Sequence, residues 1–191
     1  MANDKYRSFQ DLAANEKLGV DYDFESRSKL ASGVVVIAPH GGRIEPNTDV
    51  IADAIAGGDF SFYRFRALKE KSGLHIRSHL FNEPTCVQLV AAHQKVVSIH
   101  GWGADGVRVC VGGRDTEMIE AFKKALATQK IELEYAPISL RALDPQNITN
   151  RGANGRGVQF ELTMDFRKSV PMVRTFSAAI RSYRQISCTA G

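Results

Sequence analysis

The sequence predicts a single α/β domain, residues 1–191, built on a mixed, mainly parallel sheet with helices on both faces. Three observations carry that expectation. Gly33-Val-Val-Val-Ile-Ala38 is a continuous β-branched run, the mark of a strand buried on both faces. Strand-sized apolar runs alternate with helix-period segments along almost the whole chain. The length, 191 residues with 43% hydrophobic and 24% charged side chains, suits one globular core.

Each element has its own signal. Ser8 and Asp11 resemble a capping box, and Phe9, Leu12 and Ala13 give the helix behind them an inner face. Tyr22 and Phe24 alternate with acidic residues, as on an edge strand. After the buried run, Val50, Ile51, Ala54 and Ile55 form a helical stripe that Asn47 or Thr48 can cap. Phe60 to Phe65 and Leu74 to Ser78 read as strands. Pro84 opens a helix with the stripe Cys86, Leu89, Val90 and His93, and Lys95 to His100 is the next strand. Val107 to Val111 alternates with period two. Asp115 to Gln129 carries Met118, Ile119, Phe122 and Leu126 on one helical face. Ile131 to Tyr135 and Gly157 to Thr163 are the last strands, separated by a polar loop from Pro137 to Arg156. Met172, Val173, Phe176, Ile180 and Tyr183 mark a final helix. A loop of that length inside a compact domain is uncommon and often functional.

Composition excludes several classes. No apolar run approaches the roughly 18 residues of a membrane span, and the polar stretch Met1 to Ser8 is no secretory leader. Three cysteines, Cys86, Cys110 and Cys188, are too few and too scattered for a disulfide framework or a cysteine zinc module. The net charge of +4 biases the chain towards anionic partners. Its cations are scattered and lack the interleaved aromatics of a nucleic-acid stripe, so nucleic acid is not the expected partner. The expectation is a soluble, cytoplasmic monomer without a membrane partner, open to release on lysis of its cell.

Three strand ends carry metal- or proton-competent groups. Ala38-Pro-His-Gly-Gly-Arg-Ile-Glu-Pro46 follows the buried run, Ile99-His100-Gly101 ends the next strand, and Glu161 lies in the last one. Two histidines and a carboxylate around an open position form the ligand set of several hydrolytic zinc sites. Gly41-Gly42 allows a tight turn that faces His40 and Glu45 to one ion, with His100 joining from a separate strand. Glu161 is then a general base for water. The alternative is that each histidine is an ordinary hydrogen-bonded residue. Alternation sets Gln159 and Glu161 on one face of their strand and Val158, Phe160 and Leu162 on the other, which suits a strand bordering a cleft. His75, Arg77 and His79 share period two and line a groove or form a solvated polar face. Gly101-Trp-Gly-Ala-Asp-Gly106 has the glycine spacing of a dinucleotide site, but a strand follows it where that site needs a helix.

These residues resemble the poly-γ-glutamate hydrolases of phage and prophage origin. The similarity runs from about Tyr6 to Lys168 through 38–46, Leu74-His-Ile76, Phe81-Asn-Glu-Pro84, Ile99-His-Gly101, Asn147-Ile-Thr-Asn-Arg-Gly152 and 155–161. The resemblance implies a zinc peptidase with a carboxypeptidase-like fold that cuts the γ-linked glutamate polymer within the chain. It implies one zinc ion on His40, Glu45 and His100, with Glu161 as general base. Four residues separate His40 from Glu45, where the wider carboxypeptidase class has two. The Asn150-Arg151 pair is similar to that class's carboxylate-binding pair but follows the last zinc histidine. Because the implied substrate carries one carboxylate per residue, Arg43, His75, Arg77, Asn150, Arg151, Arg156 and Arg167 are its candidate binding residues. Two other readings compete. One is a zinc amidohydrolase acting on a small acylated amino acid or peptide; the other is a non-catalytic prophage protein that binds nucleic acid or a protein partner.

Overall fold

Ser8 opens the first helix, α1 (Phe9–Asn15), its hydroxyl accepting the Asp11 N–H at 3.1 Å. The remaining elements are β1 (Tyr22–Arg27), β2 (Val34–Gly42), α2 (Thr48–Ala56), β3 (Ser61–Ala67), α3 (Pro84–Ala91), β4 (Lys95–Trp102), β5 (Val109–Gly113), α4 (Thr116–Thr128), β6 (Glu134–Tyr135), β7 (Val158–Thr163), α5 (Met164–Lys168) and α6 (Val170–Arg181). The structure, a computed structural model, describes residues 4–69 and 73–183; Cys188 and the first three residues lie outside them. Among the described residues no helix is long and apolar enough to cross a membrane.

Seven strands form one sheet in the order β1-β3-β2-β4-β7-β5-β6. The central four, β3, β2, β4 and β7, are parallel, while β1 and β5 run against their neighbours β3 and β7. The mixed, mainly parallel α/β sheet therefore matches the expectation. On the edge, Asp23 and Glu25 of β1 stand opposite Arg66 and Arg64 of β3 and pair with them. Opposite charges on directly facing residues fix that register.

Alternation along β2 divides the core in two. Val34, Val36 and Ala38 pack with Ile51 and Ile55 of α2, Phe122 of α4 and Phe176 of α6. Val35 and Ile37 pack on the other face with Leu12 of α1, Cys86 and Val90 of α3, and Tyr63 and Phe65. Both faces are thus covered by helices, which is why the run is apolar throughout.

Two expected strands differ. Leu74–Ser78 is not a strand, because β3 is already paired on both edges and offers it no ladder. Its alternation persists in a loop, with Leu74 and Ile76 buried. Of Ile131–Tyr135 only Glu134 and Tyr135 pair, against Cys110 and Val111.

The connections from β2 leave through α2 to β3 on one side, while β4 lies on the other. Crevices for ligands form at such a switch point, beyond the carboxyl ends of the strands. Here β2 and β4 pair only from Val34–Lys95 to Ile37–Ser98 and then separate, which opens the crevice.

Candidate metal centre

Two irregularities in β2 aim its end. Between Ala38 and Gly41 the strand advances three residues while β3 advances two, so a bulge falls on Pro39 and His40. A bulge admits a proline and re-aims the side chain beside it. At Gly41 a Cβ would lie 2.6 Å from the Cβ of Asp49 and 2.8 Å from the Phe65 carbonyl oxygen, so no larger residue fits. The turn then closes with the Glu45 N–H donating to the His40 carbonyl at 2.8 Å. Four intervening residues therefore bring His40 and Glu45 together.

His100 comes from β4, in register with Glu161 of β7. His40 Nδ1 lies 3.2 Å from Glu45 Oε1 and 3.2 Å from His100 Nδ1, and His100 Nδ1 lies 3.5 Å from Glu45 Oε2. Donor atoms on a tetrahedral zinc with bonds of about 2.0–2.1 Å stand about 3.3–3.4 Å apart. The spacing fits such an ion. His40 Nε2 donates to the Ile76 carbonyl at 2.8 Å, which leaves Nδ1 as the ring atom that faces Glu45 and His100. His100 Nε2 meets Ser98 Oγ at 2.8 Å, and the Gly101 N–H donates to Glu45 Oε2 at 2.9 Å. Each of the three side chains is thus oriented by a second partner, as metal ligands usually are.

The two carboxyls differ in environment. Burial works to raise Glu45, but His40 and then His100 outweigh it and hold the group below the ordinary carboxylate range. Glu161 is pushed well above that range by burial and then by the charge of Glu45, against the opposing hydrogen bond from Gln159. One carboxylate is therefore anionic and the other holds a proton more readily, the split that assigns acid–base roles. Gln159 Nε2 donates to Glu161 Oε1 at 2.8 Å, while Asn147 Nδ2 donates to Gln159 Oε1 at 3.3 Å and fixes that amide's orientation. Ser98, Gln159 and Asn147 are positioning residues that residue-type reasoning passed over. Period two placed Ser98 beside His100 and Gln159 beside Glu161, and that signal was available.

The centre opens into a cleft of about 890 Å³ whose walls include His75, Arg77, His79, Trp102 and Leu140. His75 lies against His40 with ring centroids 4.2 Å apart. Burial, then His40, hold His75 below the ordinary histidine range, against its hydrogen bond to Asp4.

Of the arginines expected in the cleft, Arg77 alone lines it among the described residues. Arg151 points away and donates to the Phe81 carbonyl at 2.9 Å. Asn150 spends its amide inside the 137–157 loop, donating to Ala142 and Asp144 and accepting from Gly157. Arg156 pairs with Asp115, the cap of α4, at 3.7 Å. Because β5 runs against β7, that cap lies at the opposite end of the sheet from Glu161. Arg43 donates to the Leu68 carbonyl at 3.3 Å, outside the cleft lining. Arg167 lies beneath the site, bound to the carbonyls of Leu162 and Pro46. Glu83 of the 81–84 segment caps α3, accepting from Thr85 and Cys86.

Residues 6–189 match the sequence profile of the poly-gamma-glutamate hydrolase family. The chain is 33% identical over 170 residues to UPF0714 protein YmaC of Bacillus subtilis (strain 168), covering 87% of this chain and 72% of that protein. Among solved structures it is similar to a bacteriophage poly-gamma-glutamate hydrolase, with a TM-score of 0.91 and 28% identity over 99% of this chain and 100% of the other. The zinc-free apo form of YNDL gives a TM-score of 0.83 and 26% identity over the same shares. By the extent of the profile match and the identity to YmaC, the chain belongs to the poly-gamma-glutamate hydrolase family.

Proposed function

We propose that the protein is a zinc-dependent hydrolase that cleaves γ-glutamyl amide bonds within poly-γ-glutamate. The spacing of the three donor atoms, 3.2, 3.2 and 3.5 Å on oriented side chains, carries the reading. His40, Glu45 and His100 would hold one zinc ion. When bound, zinc supplies Lewis-acid polarisation of an amide carbonyl and acidifies water. Glu161 Oε1 is tied to Gln159, so its second oxygen is the one that takes a proton from the attacking water and delivers it to the leaving amine. The raised Glu161 carboxyl suits the second half of that task, since a carboxyl that holds its proton more tightly than usual keeps it until the leaving amine takes it. His75 and Arg77, on the cleft wall, supply donors for substrate carboxylates.

Metal analysis of the purified protein, followed by incubation with poly-γ-glutamate and sizing of the products, tests the reading. The expected result is one zinc per chain and polymer cut into fragments, with zinc and activity both lost in His40→Ala and in His100→Ala. Stoichiometric zinc in both variants would remove these residues from the ligand set. Intact polymer with zinc-loaded protein would overturn the substrate.

A further inference from the structure

Arg77 is the one lysine or arginine among the described residues lining the cleft, and the other charged groups there include Glu45, Glu161 and Asp144. A polyanion entering this space has a single guanidinium to meet, and that guanidinium is engaged. Asp4 Oδ1 accepts from His75 Nδ1 at 2.8 Å. Its other oxygen accepts from the Arg77 backbone N–H at 3.3 Å and faces Arg77 Nε at 3.4 Å. Two N–H groups from one short segment therefore bond the two oxygens of one carboxylate, and the Arg77 guanidinium pairs with it by charge, a combination by which proteins recognise that group. The Asp4 side chain is only 14% exposed and lies in the cleft with the metal centre, while His75 and Arg77, at 38% and 49%, remain open to an incoming ligand. One ring, His75 on His40 at 4.2 Å, separates it from a ligand atom of the centre.

We infer that His75 and Arg77 form a carboxylate subsite beside the metal centre, and that Asp4 occupies it until a substrate carboxylate displaces it. The inference deepens the proposed function and rests on it for the identity of the displacing group. Each residue of a γ-linked glutamate polymer carries a free carboxylate a few bonds from the amide that links it to its neighbour. That group is chemically the same as the side chain of Asp4, so the two compete for one set of donors. Asp4 sits two residues before Tyr6, which is buried and bonded to Glu16. The arm is thus tethered close by, and releasing Asp4 does not require unfolding α1. Docking lowers the apparent affinity for substrate by the fraction of molecules left open.

The test uses zinc-loaded wild type, Asp4→Ala, Arg77→Ala and the double variant. Glutarate, a dicarboxylate that offers no amide to cut, is titrated against the fluorescence of Trp102, the only tryptophan in the chain and part of the cleft wall. The Michaelis constant for poly-γ-glutamate is measured in parallel. With Asp4 docked in about two-thirds to nine-tenths of molecules, Asp4→Ala tightens both glutarate binding and KM by about three- to tenfold. Arg77→Ala weakens both, and the gain from Asp4→Ala disappears in the Arg77→Ala background. Unchanged or weaker glutarate binding in Asp4→Ala overturns the inference, as does a full gain in the double variant. If no protein cuts the polymer while the coupling in glutarate binding holds, the substrate reading fails and the subsite stands.

Discussion

Gly101→Ala tests whether the metal centre is held from beneath. Gly101 donates its N–H to Glu45, and the guanidinium of Arg167 lies against its Cα. A Cβ there would stand 2.8 Å from Arg167 Cζ and 2.9 Å from both terminal nitrogens, whereas such contacts are comfortable near about 3.5–4.0 Å. The guanidinium must retreat, and it is not free to do so without loss. Its Nε donates to Leu162 at the end of β7 at 3.0 Å, and Nη1 donates to Pro46, next to Glu45. A hydrogen bond to a charged group contributes about 1.5–3 kcal/mol. Losing both, with some recovery as the side-chain end relaxes, costs about 3 kcal/mol. In a chain of this length each kcal/mol lowers the melting temperature by about 2–4 °C, so the shift is about 6–12 °C. Calorimetry reads it, and zinc retained after dialysis should fall in step, because the Pro46 tether places Glu45. The cost acts through Arg167, so the double variant with Arg167→Ala should melt with Arg167→Ala alone, within about 0.5 kcal/mol. A Gly101→Ala melt within about 2 °C of wild type, a cost of no more than about 1 kcal/mol, refutes the reasoning. Full additivity with Arg167→Ala does the same.

Glu161→Gln keeps the shape of the side chain and lets its amide oxygen accept from Gln159, so zinc content and fold should persist while turnover falls by about a hundredfold or more; near wild-type rates with full zinc remove Glu161 as the base. Arg151→Ala should cost about 1–3 kcal/mol of stability through the lost bond to Phe81 and leave KM for the polymer unchanged, since its side chain is outside the cleft; a raised KM would return Arg151 to substrate binding. Burial works to raise Glu16, but the bonds from Lys69, Tyr6 and Lys5 outweigh it and lower its titration from 4.5 to about 2 in the folded chain. A depressed carboxyl contributes stability above its unfolded pKa and loses it as pH falls through the folded one. Glu16→Gln should therefore flatten the decline of melting temperature between about pH 4.5 and 2, and an unchanged acid limb would count against that role.

The sheet and its helices were legible because their signals are local and repetitive. β-branched runs, helical stripes, the Ser8 cap and the Pro84 start each depend on residues within one element. The cluster of His40, Glu45 and His100 was legible for a related reason, since parallel strands bring their carboxyl ends to one side. Which arginines reach that side was not. Arg156 is three residues before Gln159 in sequence, yet the extended β7 separates it from Glu161, and it pairs instead with Asp115, which the antiparallel β5 brings to that end of the strand. Leu74–Ser78 shows the complementary case. Period two reports which side chains face a core, and it did so correctly, but a strand also needs an unpaired neighbour. Asp4 carried no local signal at all; its position against His75 and Arg77 depends on the path of the arm before α1.

His40, His100 and Glu161 are borne by the carboxyl-end portions of β2, β4 and β7, adjacent strands inside the sheet, whereas His75, Arg77 and Asp4 belong to a loop and the N-terminal arm. Backbone amides of the paired strands beneath the first group should exchange with solvent through large openings of the sheet, while those in the second should exchange through local openings of much lower free energy. Under the proposed function the metal and proton-transfer groups rest on the sheet, and adaptation to successive units of a polymer falls to the loop and the arm. A change that stiffens the sheet would leave recognition untouched, and loop exchange between relatives could alter what is bound without rebuilding what reacts.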